Sequence, residues 1–342
     1  MKFPRMAFIG ILICLGATST FLAGCPGKNS PSSPNNSNPA PTPTFSSTGT
    51  PCMINGTPCT STFTATPTNT ATITSTTTST PTATSTNTEV CTGTTLVSSG
   101  ISGPTGVAVD GSGNVYFTDS NNNALKEWVK SSGSVTTLVS SGLYNPMGVG
   151  VDGSGNVYFA DKLNNAIKEW VKSSGSVTTL VSSGLYDPIG VAVDGTGNVY
   201  FSDTNNFEIK EWVKSSGAVT ALVNLASGDA PYDVAVDGSG NVYIANPQSL
   251  MIREWMKSSG AVTNLISSGL TNPTGVAVDG SGNVYIVERN QGEVQEWVKS
   301  TGSVGTLISS GLNYPFCVAV DASDNFYIAD TNNNAIKEFS CH

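Results

Sequence analysis

From residue 91 onward, apolar residues come in short runs rich in Val, Ile, Tyr and Trp, and none keeps a helical spacing. In one representative stretch the runs cover 148–152, 156–161, 166–172 and 176–181. Between them lie Gly153-Ser154-Gly155, Leu163-Asn164-Asn165 and Ser173-Ser174-Gly175, all of them turn formers. The pattern predicts four short strands in an antiparallel meander, with no room for a crossover helix.

The meander is written six times. Its anchor is an aromatic residue at Trp128, Trp170, Trp212, Trp255, Trp297 and Phe339, in steps of 42, 42, 43, 42 and 42 residues. A fixed period of this length marks units that bury their faces only against neighbours. Six four-stranded sheets set radially make a β-propeller, an all-β fold that leaves only short, protected edges. An open solenoid is the alternative, and it needs atypical capping repeats at both ends. The ends favour closure. The last copy stops after its third strand at Phe339, and the missing fourth strand appears at the other end as Thr94-Thr95-Leu96-Val97-Ser98-Ser99-Gly100, matching 136–142.

That alignment places Cys341 where the first copy has Lys130, and Cys91 where it has Gly133. These positions flank a tight turn whose ends lie within about 7 Å, inside disulfide reach. A Cys91–Cys341 bond is therefore expected to replace the covalent turn of the split blade. Cys52 and Cys59 are expected to pair in a small loop, and Cys317 to be a buried free thiol.

The ends divide the chain further. Residues 1–24 carry Lys2 and Arg5, an apolar run over 7–15, and small residues up to Gly24, which reads as an export signal. Leu22-Ala23-Gly24-Cys25 resembles a bacterial lipobox, which would make Cys25 the lipidated first residue; an ordinary signal peptide is the alternative. Residues 25–90 form a linker of Thr, Ser, Pro and Asn. Over 26–88 it has no acidic residue and one basic one, Lys28. Such a segment buries too little surface to offset its ordering entropy and is expected to be disordered. Its reach is about 45 Å as a coil and about 200 Å fully extended. The propeller then occupies 91–342, with a monomer expected.

Losing Lys2 and Arg5 takes the formal charge from −9 to −11. That argues against nucleic acid and against a peripheral grip on anionic lipid, leaving the lipid anchor as the membrane contact. The location expected is the cell envelope, on the exported side.

The pattern P-x-G-V-A-V-D-x-x-G-N-V-Y-x-x-D-x-x-N-N-x-I, recurring over about residues 92–341, resembles NHL repeats, a family of six-bladed propellers. The resemblance implies sensor, protein-binding or RNA-binding roles, or an amidating lyase; related propellers include streptogramin lyases and gluconolactonases. The lyases depend on propeller histidines, and the only histidine here is His342. The gluconolactonase type uses Glu, Asn and Asp around a divalent ion. Candidates share one register after the second strand: Asp119, Asp161, Asp203, Asn246, Glu288 and Asp330. A ring of these would hold a hard cation; the structural alternative has each capping the next turn. No other cofactor is expected. The recurring Asp110-Gly111-Ser112-Gly113-Asn114 reads as a hairpin turn before a calcium loop, and the Trp residues as core.

Comparing the copies gives one functional signal. Turns after the first and third strands are almost constant, whereas variation gathers in the other set, most of it in copies four and five. Asn246, Gln248, Glu288, Arg289, Gln291 and Glu293 replace the standard segment, a one-residue insertion falls in 225–230 beside Asp229, and Asp233 replaces a glycine. Loops on a rigid scaffold are where binding is usually placed. The sequence thus favours a surface-anchored module that binds a protein or envelope polysaccharide through this sector, with a metal-dependent lactonase- or lyase-like enzyme as alternative.

Overall fold

The computed structural model describes residues 91–341, together with a short antiparallel pairing of Met53–Ile54 with Thr57–Pro58. By its contacts the chain falls into two units, 1–83 and 84–342. The signal segment, Cys25, the remaining linker and the Cys52–Cys59 pair lie outside the described residues.

The second unit is a closed ring of six four-stranded antiparallel sheets. Blade 2 runs Pro146–Val151, Val157–Asp161, Ala166–Val171 and Ser176–Val181. The innermost strand starts two residues before the expected run, at the proline, a residue tolerated as the first of a strand. Blade 6 is built from both ends: Val318–Val320, Asn325–Asp330 and Ala335–Cys341, closed by Cys91–Val97. Cys341 lies opposite Cys91 in register and the two form a disulfide spanning 250 residues. Chain-entropy reasoning sets its contribution at up to about 5 kcal/mol.

Each blade buries one face against the next, giving six cores instead of one. Tyr116 and Leu125 of blade 1 pack with Val157, Phe159 and Trp170 of blade 2. Trp212, Trp255, Trp297 and Phe339 serve the following seams, and Trp128 packs against the cluster joining blade 6 to blade 1. The 42-residue period is this seam seen in sequence, and the last seam closes the ring.

The two ends of the ring differ. On the turn face Asp152 accepts N–H bonds from Ser154 and Asn156 at 2.9 Å each, and the Tyr158 hydroxyl at 3.1 Å. The same set recurs in every blade, at Asp110, Asp194, Asp237, Asp279 and Asp321. Burial alone would raise the Asp152 carboxyl; its hydrogen bonds outweigh that and hold it below the ordinary carboxylate range. The carboxylate is thus engaged by its own turn, as a hairpin requires. The opposite face carries the second-to-third strand turns and the blade-to-blade connections.

Candidate functional site

On this connection face, blades 1, 2, 3 and 6 share one construction. The second strand ends in a fully buried aspartate, followed by a single 3-10 turn. Asp161 accepts the Tyr144 N–H at 2.7 Å and the Asn164 amide at 2.8 Å, and pairs with Lys168 at 2.6 Å. Asp119, Asp203 and Asp330 do the same with Lys126, Lys210 and Lys337, at 2.7, 2.5 and 2.7 Å. The four aspartates considered for a cation ring therefore sit one per blade, each against its own lysine and its own connection. Among the described residues no three His, Cys, Asp or Glu side chains gather as a metal site. The register fits a repeated tie between strand and connection, and not a shared donor set.

Blades 4 and 5 depart from it. In blade 4 the aspartate becomes Asn246 and the lysine becomes Arg253, while the inserted connection supplies Asp229, which pairs with Arg253 at 2.7 Å. The carboxylate has moved from strand to loop. Asn246 is fully buried, and neither its Oδ1 nor its Nδ2 has a partner; Arg253 Nη1 and Asp229 Oδ1 are likewise buried and unpartnered. In blade 5 Glu288 is buried and its Oε2 accepts the N–H groups of Thr271 and Asn272 at 2.9 and 2.8 Å. Its Oε1 has no partner, and the lysine position is Gln295. Gln291 is exposed and bonds to Thr271, Gln248 is exposed, and Glu293 lies opposite Glu288 in register. All the buried side-chain atoms without a partner among the described residues belong to Asp229, Asn246, Arg253, Glu288 and Arg289.

At the axis the innermost strands approach so closely that a side chain is excluded at one register. A Cβ on Gly106 would lie 2.3 Å from the Met147 carbonyl, and one on Gly148 2.5 Å from that of Ile189. Two blades break this rule: Asp233 and Cys317 replace the glycine. Their side chains meet, with Cys317 Sγ 3.5 Å from Asp233 Oδ2, and that oxygen accepts the Val276 N–H at 3.1 Å. Burial pushes the Asp233 carboxyl up to about 6, and burial followed by the Asp233 charge pushes the Cys317 thiol well up. Cys317 is the buried free thiol that was expected. On the turn-face side of this register a cavity of about 180 Å³ is lined by Val and Ala residues, with one glycine, Gly150.

On the connection-face side lies an axial pocket of about 290 Å³. One wall is polar, with Thr105, Ser120 and Asn121; another is apolar, with Met147, Ile189, Tyr232 and Phe316; Lys162 and Arg289 are the charged lining residues. Arg289 is thus the residue of the divergent loops that lines this pocket. Tyr232 and Phe316 were not singled out from the sequence. Their signal was present: the residue after the proline in each copy's first-strand segment reads Thr105, Met147, Ile189, Tyr232, Thr274 and Phe316, varying more than the glycine that follows it, which is replaced only at Asp233 and Cys317. Five of these six line the pocket.

A family model described as the NHL repeat matches residues 312–339. No curated protein matches the chain. Among solved structures the chain is similar to an auxiliary nutrient binding protein from Bacteroides thetaiotaomicron, with 14% identity and a TM-score of 0.62 over 74% of this chain and 77% of that one. It is similar to a gluconolactonase from Xanthomonas campestris, at 16% identity and TM-score 0.63 over 73% and 89%. A third is a catalytically inactive histidine-to-alanine variant of virginiamycin B lyase from Staphylococcus aureus with quinupristin, at 15% identity and TM-score 0.57 over 74% and 99%. Propellers like this one therefore include both binding proteins and enzymes, and the likeness is one of fold.

Proposed function

We propose that this protein is an exported, lipid-anchored binding module that presents the connection face of its propeller to a protein or a polysaccharide of the cell envelope. The observation that carries this reading is the confinement of every unpartnered buried side-chain polar atom, among the described residues, to blades 4 and 5 and the connection leading into blade 4. Buried polar groups are ordinarily satisfied, and leaving one unmade costs about 1–3 kcal/mol. Four blades meet that rule at this register, so the fold itself does not demand the exception. Incomplete matching confined to one sector of one face marks that sector as the one set aside for recognition.

The lactonase- or lyase-like alternative draws on fold likeness alone. The inactivated lyase relative lost a histidine, and this chain's only histidine is its last residue. The divalent cation that a lactonase reading calls for finds no gathered donor set among the described residues.

The test exchanges 246–251 and 288–293 for the matching loops of blade 2, and compares both proteins for binding to purified envelope polysaccharide and to envelope proteins. Binding by the native chain that the exchanged chain loses is the expected result. Equal binding by the two would overturn the assignment of the sector.

A further inference from the structure

We infer that the axial pocket takes a small organic carboxylate whose anionic group sits on Arg289. This rests on the reading of the connection face as a recognition surface, and adds the chemistry of one ligand to it.

The argument starts from charge. The chain is acidic, at −9, yet the pocket's charged lining residues are Lys162 and Arg289, with no carboxylate among them. The other cations of this face are all matched: Lys126, Lys168, Lys210 and Lys337 by the buried aspartates, Arg253 by Asp229, and Lys162 by Asp187 at 3.8 Å. Among the described cations of this face, Arg289 alone forms no ion pair. It is held all the same. Its backbone N–H donates to the Asn272 carbonyl at 3.1 Å. Its guanidinium carbon lies 5.2 Å from the Phe316 ring centre and 5.6 Å from that of Tyr314. Contact with ring faces fixes a guanidinium while leaving its edge donors open. Its Nε is buried and has no partner, and neither Nη is bonded among the described residues, which leaves the Nη edge for a ligand.

An oriented guanidinium with open edges is the complement of a planar carboxylate, which it grips through two parallel bonds. One unmatched positive charge calls for one negative charge, which favours a carboxylate over a phosphate dianion. The apolar wall of Met147, Ile189, Tyr232 and Phe316 then receives the carbon body, and about 290 Å³ restricts the occupant to a small molecule or the end group of a larger one.

Isothermal titration of the full chain with D-glucuronate and benzoate tests this, beside neutral methyl glucoside and benzamide, and inorganic phosphate. At least one carboxylate should bind one to one, at least about tenfold more tightly than its neutral counterpart. Arg289→Gln should abolish that preference while leaving the unliganded melting temperature near the parent's. If that variant does not fold, Arg289→Lys serves, keeping the charge but not the fork, with affinity expected to fall several-fold. The inference is overturned by carboxylates inert up to about 20 mM, by neutral probes binding as well, by phosphate binding more tightly than either carboxylate, or by a preference that survives at Arg289→Gln. Envelope binding that persists while every carboxylate is inert would remove the anion chemistry and leave the recognition surface standing.

Discussion

Blade 2 and blade 5 have the same four strands and the same length, yet they treat one buried position in opposite ways. In blade 2, Asp161 meets a lysine, an asparagine amide and a backbone N–H, so its carboxylate is fully matched. In blade 5, Glu288 keeps the backbone bonds, lacks the lysine and leaves one oxygen without a partner. The scaffold tolerates both because each blade is stabilised mainly by the apolar seams on its flanks. A repeat protein can thus carry an incomplete polar site in one sector while its neighbours maintain the ring.

Exchanging the two carboxylates for amides breaks the comparison most directly. Asp161→Asn should destabilise by about 3–5 kcal/mol, because Lys168 is left without its buried counter-charge. Glu288→Gln retains an acceptor for Thr271 and Asn272 and strands no lysine, so its cost should stay within about 1 kcal/mol. Urea unfolding of both variants decides it; equal losses would mean that blade 5 is as tightly matched as blade 2.

A smaller effect separates the axis from the turn face. Asp233 has a raised carboxyl pKa of about 6, so folding favours its protonated form. The stability this provides is complete below the unfolded value of about 3.9 and is lost as pH rises through about 6. Asp110, Asp152, Asp194 and Asp321 have lowered values and act the other way: their contribution is present above about 3.9 and disappears on acidification. Asp233→Asn should therefore match the parent at pH 4 and exceed it by about 2–3 kcal/mol at pH 7.5. A difference independent of pH over that range would contradict the assignment.

The smallest effect concerns backbone shape. Asn123, Asn165 and Asn334 hold a left-handed φ after the second strand, and each side chain accepts an N–H bond from the connection entering the next blade, at 2.7, 2.8 and 2.8 Å. In blade 4 this place is Leu250, at φ 57 and exposed. Asparagine tolerates that region better than leucine, so Leu250→Asn should raise the melting temperature, by an amount corresponding to about 0.5–1 kcal/mol. A fall would mean that Leu250 makes a packing contribution its exposure conceals.

The fold was legible because every copy states it. Period, strand count, the blade shared between the termini and the pairing of Cys91 with Cys341 all follow from aligning the chain with itself. The site was legible only in part. Divergence among copies pointed to Asn246, Glu288, Arg289, Asp229 and Asp233. It did not say that Arg289 reaches the axis, nor that Tyr232 and Phe316 join it there. Those placements depend on how far the innermost strands lean inward, which side-chain pattern along a single strand does not encode. The aspartate register left two readings open, a cation ring and a tie to the following turn. From sequence, carboxylates repeated around a ring can be read as convergent, whereas the four aspartates are each turned to the lysine seven positions later on their own blade, as Asp161 is to Lys168.

The linker enters the propeller at Cys91, the residue that is bonded to Cys341. A pull on the chain ahead of Cys91 therefore does not begin by unzipping Cys91–Val97 one ladder bond at a time. It passes through the covalent bridge into the last strand of the same blade, so both outer strands share the load. The bond that completes the ring also acts as its mechanical clamp, set at the first described residue of the propeller.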